Sequence, residues 1–149
     1  MKIRRGFVSN SSSSSYIVRI EGLSFPEFCK ALRYEYNYQD YFSYKWLRGK
    51  INKAFEASRN SSIGFFRDDV ENFKRRIDKL NEDNFEDIVK LSLDFHQIQN
   101  REVKSGFELI DFTSMHNDFD SGMSEMMKEI VLHFLFDTKY KLICERESD

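Results

Sequence analysis

An α+β fold is what this sequence predicts, with a mainly antiparallel sheet of about four strands in the order β-α-α-α-β-β-α-β and the helices packed on the sheet. Three observations lead there. Apolar residues recur at steps of three and four between about residues 25 and 80, and they alternate at steps of two near the start of the chain and again toward its end. The alternating segments fall in runs, not one for each helix, which favours an antiparallel sheet with segregated helices. The 149 residues include 15 Phe and 7 Tyr. One aromatic side chain buries on the order of 150–250 Å², so a core is within reach without disulfides or a structural metal.

The first strand is expected over 16–21, where Tyr16, Val18 and Ile20 share one face and Gly22 ends the run. Ser24-Phe25-Pro26-Glu27 then has the form of a capping box, with Pro26 in the first turn, where its missing N–H is harmless. Phe25, Phe28, Cys29 and Leu32 give that helix its apolar stripe. A second helix is expected from about Asp40 to Ser58 on the spacing of Tyr44, Leu47, Ile51 and Phe55, interrupted by Gly49. Phe66, Val70, Phe73, Ile77 and Leu80 define a third, which Asn81 to Asn84 ends.

The period then changes. Val89, Leu91, Leu93 and Phe95 alternate with polar residues up to His96, which predicts a half-buried strand. Phe107–Phe112 predicts another, and the polar stretch Gln97–Lys104 could extend the pair into a hairpin. A helix capped by Asp120 or Ser121 follows through Met123, Met127, Ile130, Val131 and Phe134, and Tyr140, Leu142 and Cys144 mark a closing strand. Residues 1–14 form a Ser-rich leading segment, and 15–149 are expected to make a single domain.

The formal charge of −2 conceals an asymmetry: residues 1–60 carry 11 Lys+Arg against 5 Asp+Glu, whereas residues 61–149 carry 12 against 20. Such a split gives a polarised surface unless the fold interleaves the two halves. Cys29 and Cys144 belong to no C-x-x-C pair and suit a reducing compartment, both packed as small apolar groups. The basic start Met1–Arg5 leads into serines, not an apolar stretch, which argues against a secretory signal. No apolar run approaches the ~18 residues of a membrane span. A cytoplasmic protein is the expectation.

Nucleotide-binding glycine motifs, the G-x-S-x-G elbow and H-E-x-x-H are absent from the sequence, so the expectation leans away from an enzyme, with no cofactor and no catalytic residue assigned. The weak candidates for metal ligation are His116, Asp118 and Asp120, with Asp111 and His96 as possible additions. A Ca²⁺-loop pattern placed on Gly122 loses two ligands, at Phe119 and Lys128, and acids ahead of a helix start also have an electrostatic reason to be there.

A richer segment runs from Arg33 to Lys53. Tyr34, Tyr36, Tyr38, Tyr41, Tyr44 and Trp46 lie among Arg33, Lys45, Arg48 and Lys50. Tyr, Trp and Arg are the usual anchors of protein interfaces, and aromatics with basic neighbours also suit stacking on bases beside phosphate contacts. Packing of the rings within a small core, with the cations as a solvated rim, is the third reading.

The opening Arg4-Arg5-Gly6-Phe7-Val8-Ser9-Asn10-Ser11-Ser12-Ser13-Ser14-Ser15-Tyr16-Ile17-Val18 resembles a signature that opens many uncharacterised proteins of tailed bacteriophages and their bacterial hosts. Tyr16 stands where that signature more often has Phe, and Arg5 where a small or basic residue is usual. Thr113–Asp120 is similar to a TSMDNFD patch in some of these proteins, with His116 in place of an acid and Asp118 extra. The resemblance implies an origin more than a mechanism: a small accessory protein in the bacterial cytoplasm that binds a host or defence protein, with a nucleic-acid-associated role as the alternative and a metal-dependent enzyme using residues 111–120 behind both. The serine run reads as a tag for a partner, as a turn whose hydroxyls bond the backbone, or as an anion-binding nest with Arg4 and Arg5.

Overall fold

A computed structural model describes residues 14–32, 41–59, 67–111, 125–135 and 139–148. The element order is β1 (Ser14–Glu21), α1 (Phe25–Lys30), α2 (Tyr44–Arg59), α3 (Arg67–Asp78), α4 (Phe85–Phe95), β2 (Ile98–Val103), β3 (Gly106–Asp111), α5 (Glu125–Leu135) and β4 (Lys141–Ser148). The fold is α+β, with one four-stranded antiparallel sheet ordered β2-β3-β1-β4. The chain divides into two compact units: Met1–Phe28 with His96–Asp149, and Cys29–Phe95.

The first unit is built on the sheet. β1 is the inner strand that joins distant parts of the chain: Ile20 lies opposite Phe107 of β3 and Leu142 of β4. Because side chains alternate across a strand, Val18, Ile20, Phe107, Leu109 and Ile98 share one face, and all are buried. Phe28 covers that face from α1, with its ring centroid 4.7 Å from Phe107 and 5.4 Å from Phe134 of α5. Met126, Met127 and Ile130 add to this core. The capping box is formed as the sequence predicts: Ser24 N–H donates to Glu27 Oε1 at 2.9 Å and Glu27 N–H to Ser24 Oγ at 3.3 Å. Glu102 of β2 adds a carboxylate at the same helix start, accepting Phe25 N–H at 2.6 Å.

The second unit is a helical cluster. Leu47 and Ile51 of α2, Ile77 of α3, and Ile88 and Leu91 of α4 are its buried centre. Tyr44, Trp46, Phe73, Leu80 and Phe95 pack against them. Polar links run between the helices: Arg76 to Asp94 at 2.9 Å, and Lys74 Nζ to Asn52 Oδ1 at 2.9 Å. α2 starts at Tyr44, later than expected, because Ser43 is its cap; Ser43 Oγ accepts Trp46 N–H at 3.3 Å.

One strand of the sequence reading is a helix. Residues 89–95, expected as a half-buried strand, belong to α4, and His96 follows in the turn. Ile88, Val89, Leu91, Ser92 and Leu93 are all buried, so the apolar face is wide enough that spacing alone cannot tell a strand from a helix. What decides is the start of the segment. Asn81 and Asn84 close the turn before it, with Asn81 N–H donating to Asn84 Oδ1 at 2.9 Å and Asp83 N–H to Asn81 Oδ1 at 2.8 Å; the Asn84 carbonyl then accepts the first helical bond, from Ile88 N–H at 2.9 Å, and Glu86 and Asp87 occupy the first turn. Ser92, polar in a strand reading, turns inward and donates to the Tyr41 carbonyl at 2.7 Å. The second strand is therefore Ile98–Val103, the stretch expected only to extend a hairpin. It pairs with β3 through the two-residue connection Lys104-Ser105.

Gly106 opens β3 where no side chain fits. A Cβ there would collide with the Ile20 carbonyl oxygen and press on Glu21. The neighbouring bond from Gly22 N–H to the Ser105 carbonyl, at 2.7 Å, holds the two chains at that separation. Gly106→Ala is expected to lower the unfolding free energy by about 2 kcal/mol or more, since the obstacle is backbone and cannot rotate away; urea denaturation measures it, and a loss below experimental error contradicts the tight approach.

Both cysteines are free thiols, Cys29 buried as expected but Cys144 exposed on β4. Burial, with the Glu86 and Asp87 carboxylates nearby, pushes the Cys29 thiol up to about 12. Thiolate is the reactive species, so a disulfide-exchange reagent at mildly alkaline pH is expected to titrate one thiol per native chain, Cys144, and two after denaturation.

Candidate functional site

Of the residues expected to bind a partner, Arg33, Tyr34, Tyr36 and Tyr38 lie outside the described residues. The structure does place Tyr41, Tyr44, Trp46 and Arg48. Tyr44 and Trp46 are half-buried and packed on the helical core. Tyr41 meets the Trp46 ring edge-on at 5.5 Å, and Lys50 Nζ sits 5.5 Å from the centroid of the Trp46 ring. These three rings therefore have work inside the unit. Arg48 is exposed.

What α2 turns to solvent is basic. Leu47, Ile51 and Ser58 are its buried side, while Lys45, Arg48, Gly49, Lys50, Lys53, Glu56 and Arg59 are exposed. Glu56, the lone acid of the helix, faces Arg59 at 3.8 Å. Among the described residues, no carboxylate pairs with Lys45, Arg48, Lys50 or Lys53. At 1.5 Å per residue these cations spread over about 12 Å of helix. Gly49 lies in their midst, and a Cβ there would meet nothing within 4 Å, so packing does not require the glycine.

The serine-rich signature is described only at its end. Arg4, Arg5, Gly6, Phe7, Ser9, Asn10, Ser11, Ser12 and Ser13 lie outside the described residues, whereas Ser14 and Ser15 are the first two residues of β1, opposite Ser148 and Glu147 of β4. His116, Asp118 and Asp120 also lie outside. Asp111 is fully buried at the end of β3. His96, placed by the sequence reading on a neighbouring strand, instead stands in the turn after α4. No group of three or more His, Cys, Asp or Glu side chains is arranged to hold a metal ion among the described residues.

A polar cluster that sequence reasoning missed lies on the other face of the sheet. Glu108 of β3 stands opposite Arg19 of β1 and Arg101 of β2. Its carboxylate is only 4% exposed. Arg101 directs Nε and Nη2 to Oε1, both at 2.8 Å, and Arg19 directs Nη1 to Oε2 at 3.3 Å. Arg19 Nε is screened from solvent and has no acceptor, an omission that costs about 1–3 kcal/mol. The sequence held a signal for this cluster: Glu108 interrupts the apolar run Phe107–Ile110, and Arg19 interrupts Ile17–Ile20. A charge within a buried strand needs a partner.

No protein-family model matches the chain, and no curated protein or solved structure is significantly similar to it.

The cluster gives an asymmetric expectation. Glu108→Gln removes charge-assisted bonds from a shielded site and should lower the unfolding free energy by about 1–3 kcal/mol. Arg101→Met removes a half-exposed partner and should cost less than about 1 kcal/mol. Chemical denaturation of the two variants compares them directly, and equal losses speak against the shielded carboxylate as the centre of the cluster.

Proposed function

We propose that this protein is a binding module without catalysis of its own, and that its partner is a nucleic acid contacted through the exposed basic side of α2. The observation that carries the reading is the set of four cations, Lys45, Arg48, Lys50 and Lys53, displayed on one short helix without carboxylate partners among the described residues. Such a row suits a phosphate backbone, whose neutralisation releases condensed counterions. The bare backbone at Gly49 leaves room for a phosphate to come close to the helix. Trp46 and Tyr44 serve this face from behind: they anchor α2 to the core, and Trp46 supports Lys50.

A protein partner is the leading expectation from sequence, with nucleic acid as its alternative. The rings that would form its hot spots are packed intramolecularly wherever the structure describes them, and the described residues expose one large apolar side chain, Leu132. A dry, apolar interface centre is thus less well supported than an electrostatic contact. The resemblance of residues 4–18 to phage-type proteins does not choose between the two partners.

The test is a titration of the full chain with generic single- and double-stranded DNA at several salt concentrations. Three or four phosphate contacts predict a slope of log K against log salt of about −2 to −4. Lys45→Ala and Lys53→Ala are each expected to flatten it by about 1 with little change in melting temperature. No binding tighter than ~10 µM at low salt, or binding indifferent to salt, overturns the proposal and returns the protein-partner reading.

A further inference from the structure

We propose that the outer edge of β4 is a docking edge for a second copy of this chain, the two β4 strands meeting antiparallel about a two-fold axis at Ile143. The inference is independent of the α2 reading.

Three features of the strand lead to it. First, β4 closes one side of the sheet, and among the described residues no strand pairs with its outer edge. Such an edge offers a row of N–H and C=O groups to another strand. Second, the edge is long and even. β4 pairs with β1 residue for residue, from Lys141 opposite Glu21 to Ser148 opposite Ser14, with no bulge among these pairs to turn it aside. Third, Leu142 and Ile143 are only half-buried and Cys144 is exposed, and a neighbouring strand covers apolar area of this kind.

The order of residues along β4 selects its own copy as the occupant. Identical strands that meet antiparallel contact each other isologously, so each register is named by the residue at the two-fold axis. With Ile143 at the axis, Ile143 meets its own copy. Leu142 of each chain then stands across from Cys144 of the other, and Lys141 across from Glu145. Apolar residues meet apolar residues, and a base meets an acid at two symmetric positions. Lys141 has the freedom for this, since its side chain is 77% exposed even with Glu21 at 3.6 Å. Neighbouring registers fail. An axis at Leu142 sets Lys141 against Ile143, and an axis at Cys144 sets Ile143 against Glu145 and Leu142 against Arg146. Charges on an edge strand ordinarily keep other strands away; in β4 their order makes the edge complementary to its own copy. The opposite edge of the sheet has no such match. In β2 an axis at Asn100 sets Ile98 against Glu102, and an axis at Arg101 sets the two arginines together.

Sedimentation of the full chain, free of nucleic acid, over a concentration series up to ~1 mM tests this. The expected result is a reversible monomer–dimer equilibrium, since a single strand pair is a small interface of the transient kind. Lys141→Glu and Glu145→Lys are each expected to weaken the dimer about tenfold or more, because like charges then face each other at both symmetric positions. The double variant restores opposite charges and should return the affinity to within about threefold of the natural chain, which a misfolded variant cannot do. The register is read separately: under mild oxidation Leu142→Cys should form a disulfide with Cys144 of the second copy, mapped by mass spectrometry of the linked peptides. A chain that stays monomeric throughout overturns the proposal, and slow amide exchange along both edges of β4 in that monomer assigns the edge to the chain's own residues. A dimer indifferent to both charge reversals, a double variant as weak as the single ones, or Cys144 linked to Cys144 between natural chains overturns it as well.

Discussion

The pairing of β1 with β3 is the contact on which the sheet-bearing unit depends. It brings residues 16–21 against residues 106–111, far apart in the chain, and Gly106 there comes so close to the Ile20 carbonyl that no side chain fits between them. Closing so long a loop carries an entropic cost, which the burial of Val18, Ile20, Phe107 and Leu109 offsets. The register follows from the same contact. A slip of one residue would turn that apolar set to the opposite face and set Arg19 and Glu108 into the core. Glu108 between two arginines therefore serves as a register pin as well as a polar site.

The two polar features differ in kind. The exposed side of α2 carries four cations on long side chains with no carboxylate partner among the described residues, and a field of that sort weakens with ionic strength. The cluster of Arg19, Arg101 and Glu108 is instead closed on itself around a carboxylate only 4% exposed, and such a site is felt mainly as stability and register.

The aromatic segment shows how composition and placement can part. Tyr and Trp beside Arg and Lys are the composition of an interface, and also that of a small helical core with a charged rim. Tyr41, Tyr44 and Trp46 stand on the core side of that choice, because a three-helix cluster with few aliphatic residues needs large rings to fill it. The cations around them remain outside. What the segment leaves exposed is thus its charges, not its described rings.

Local chemistry was legible without the fold. The capping box at Ser24 and Glu27, the strand across Tyr16–Glu21, the stripes of α2 and α3 and the closing strand all follow from patterns within a few residues. The α+β class follows from the order of the elements, and three of the four strands from their own alternation. What tertiary structure decided is where local patterns tie or fall silent. Residues 89–95 alternate well enough for a strand, but the Asn81–Asn84 turn, the acids of the first helical turn and a wide buried face make them α4. Ile98–Val103 has too few apolar residues to announce itself and becomes β2 because β3 is beside it. The cluster of Arg19, Arg101 and Glu108 exists only across strands, since the distance between its members is set by hydrogen-bonded register and not by sequence spacing.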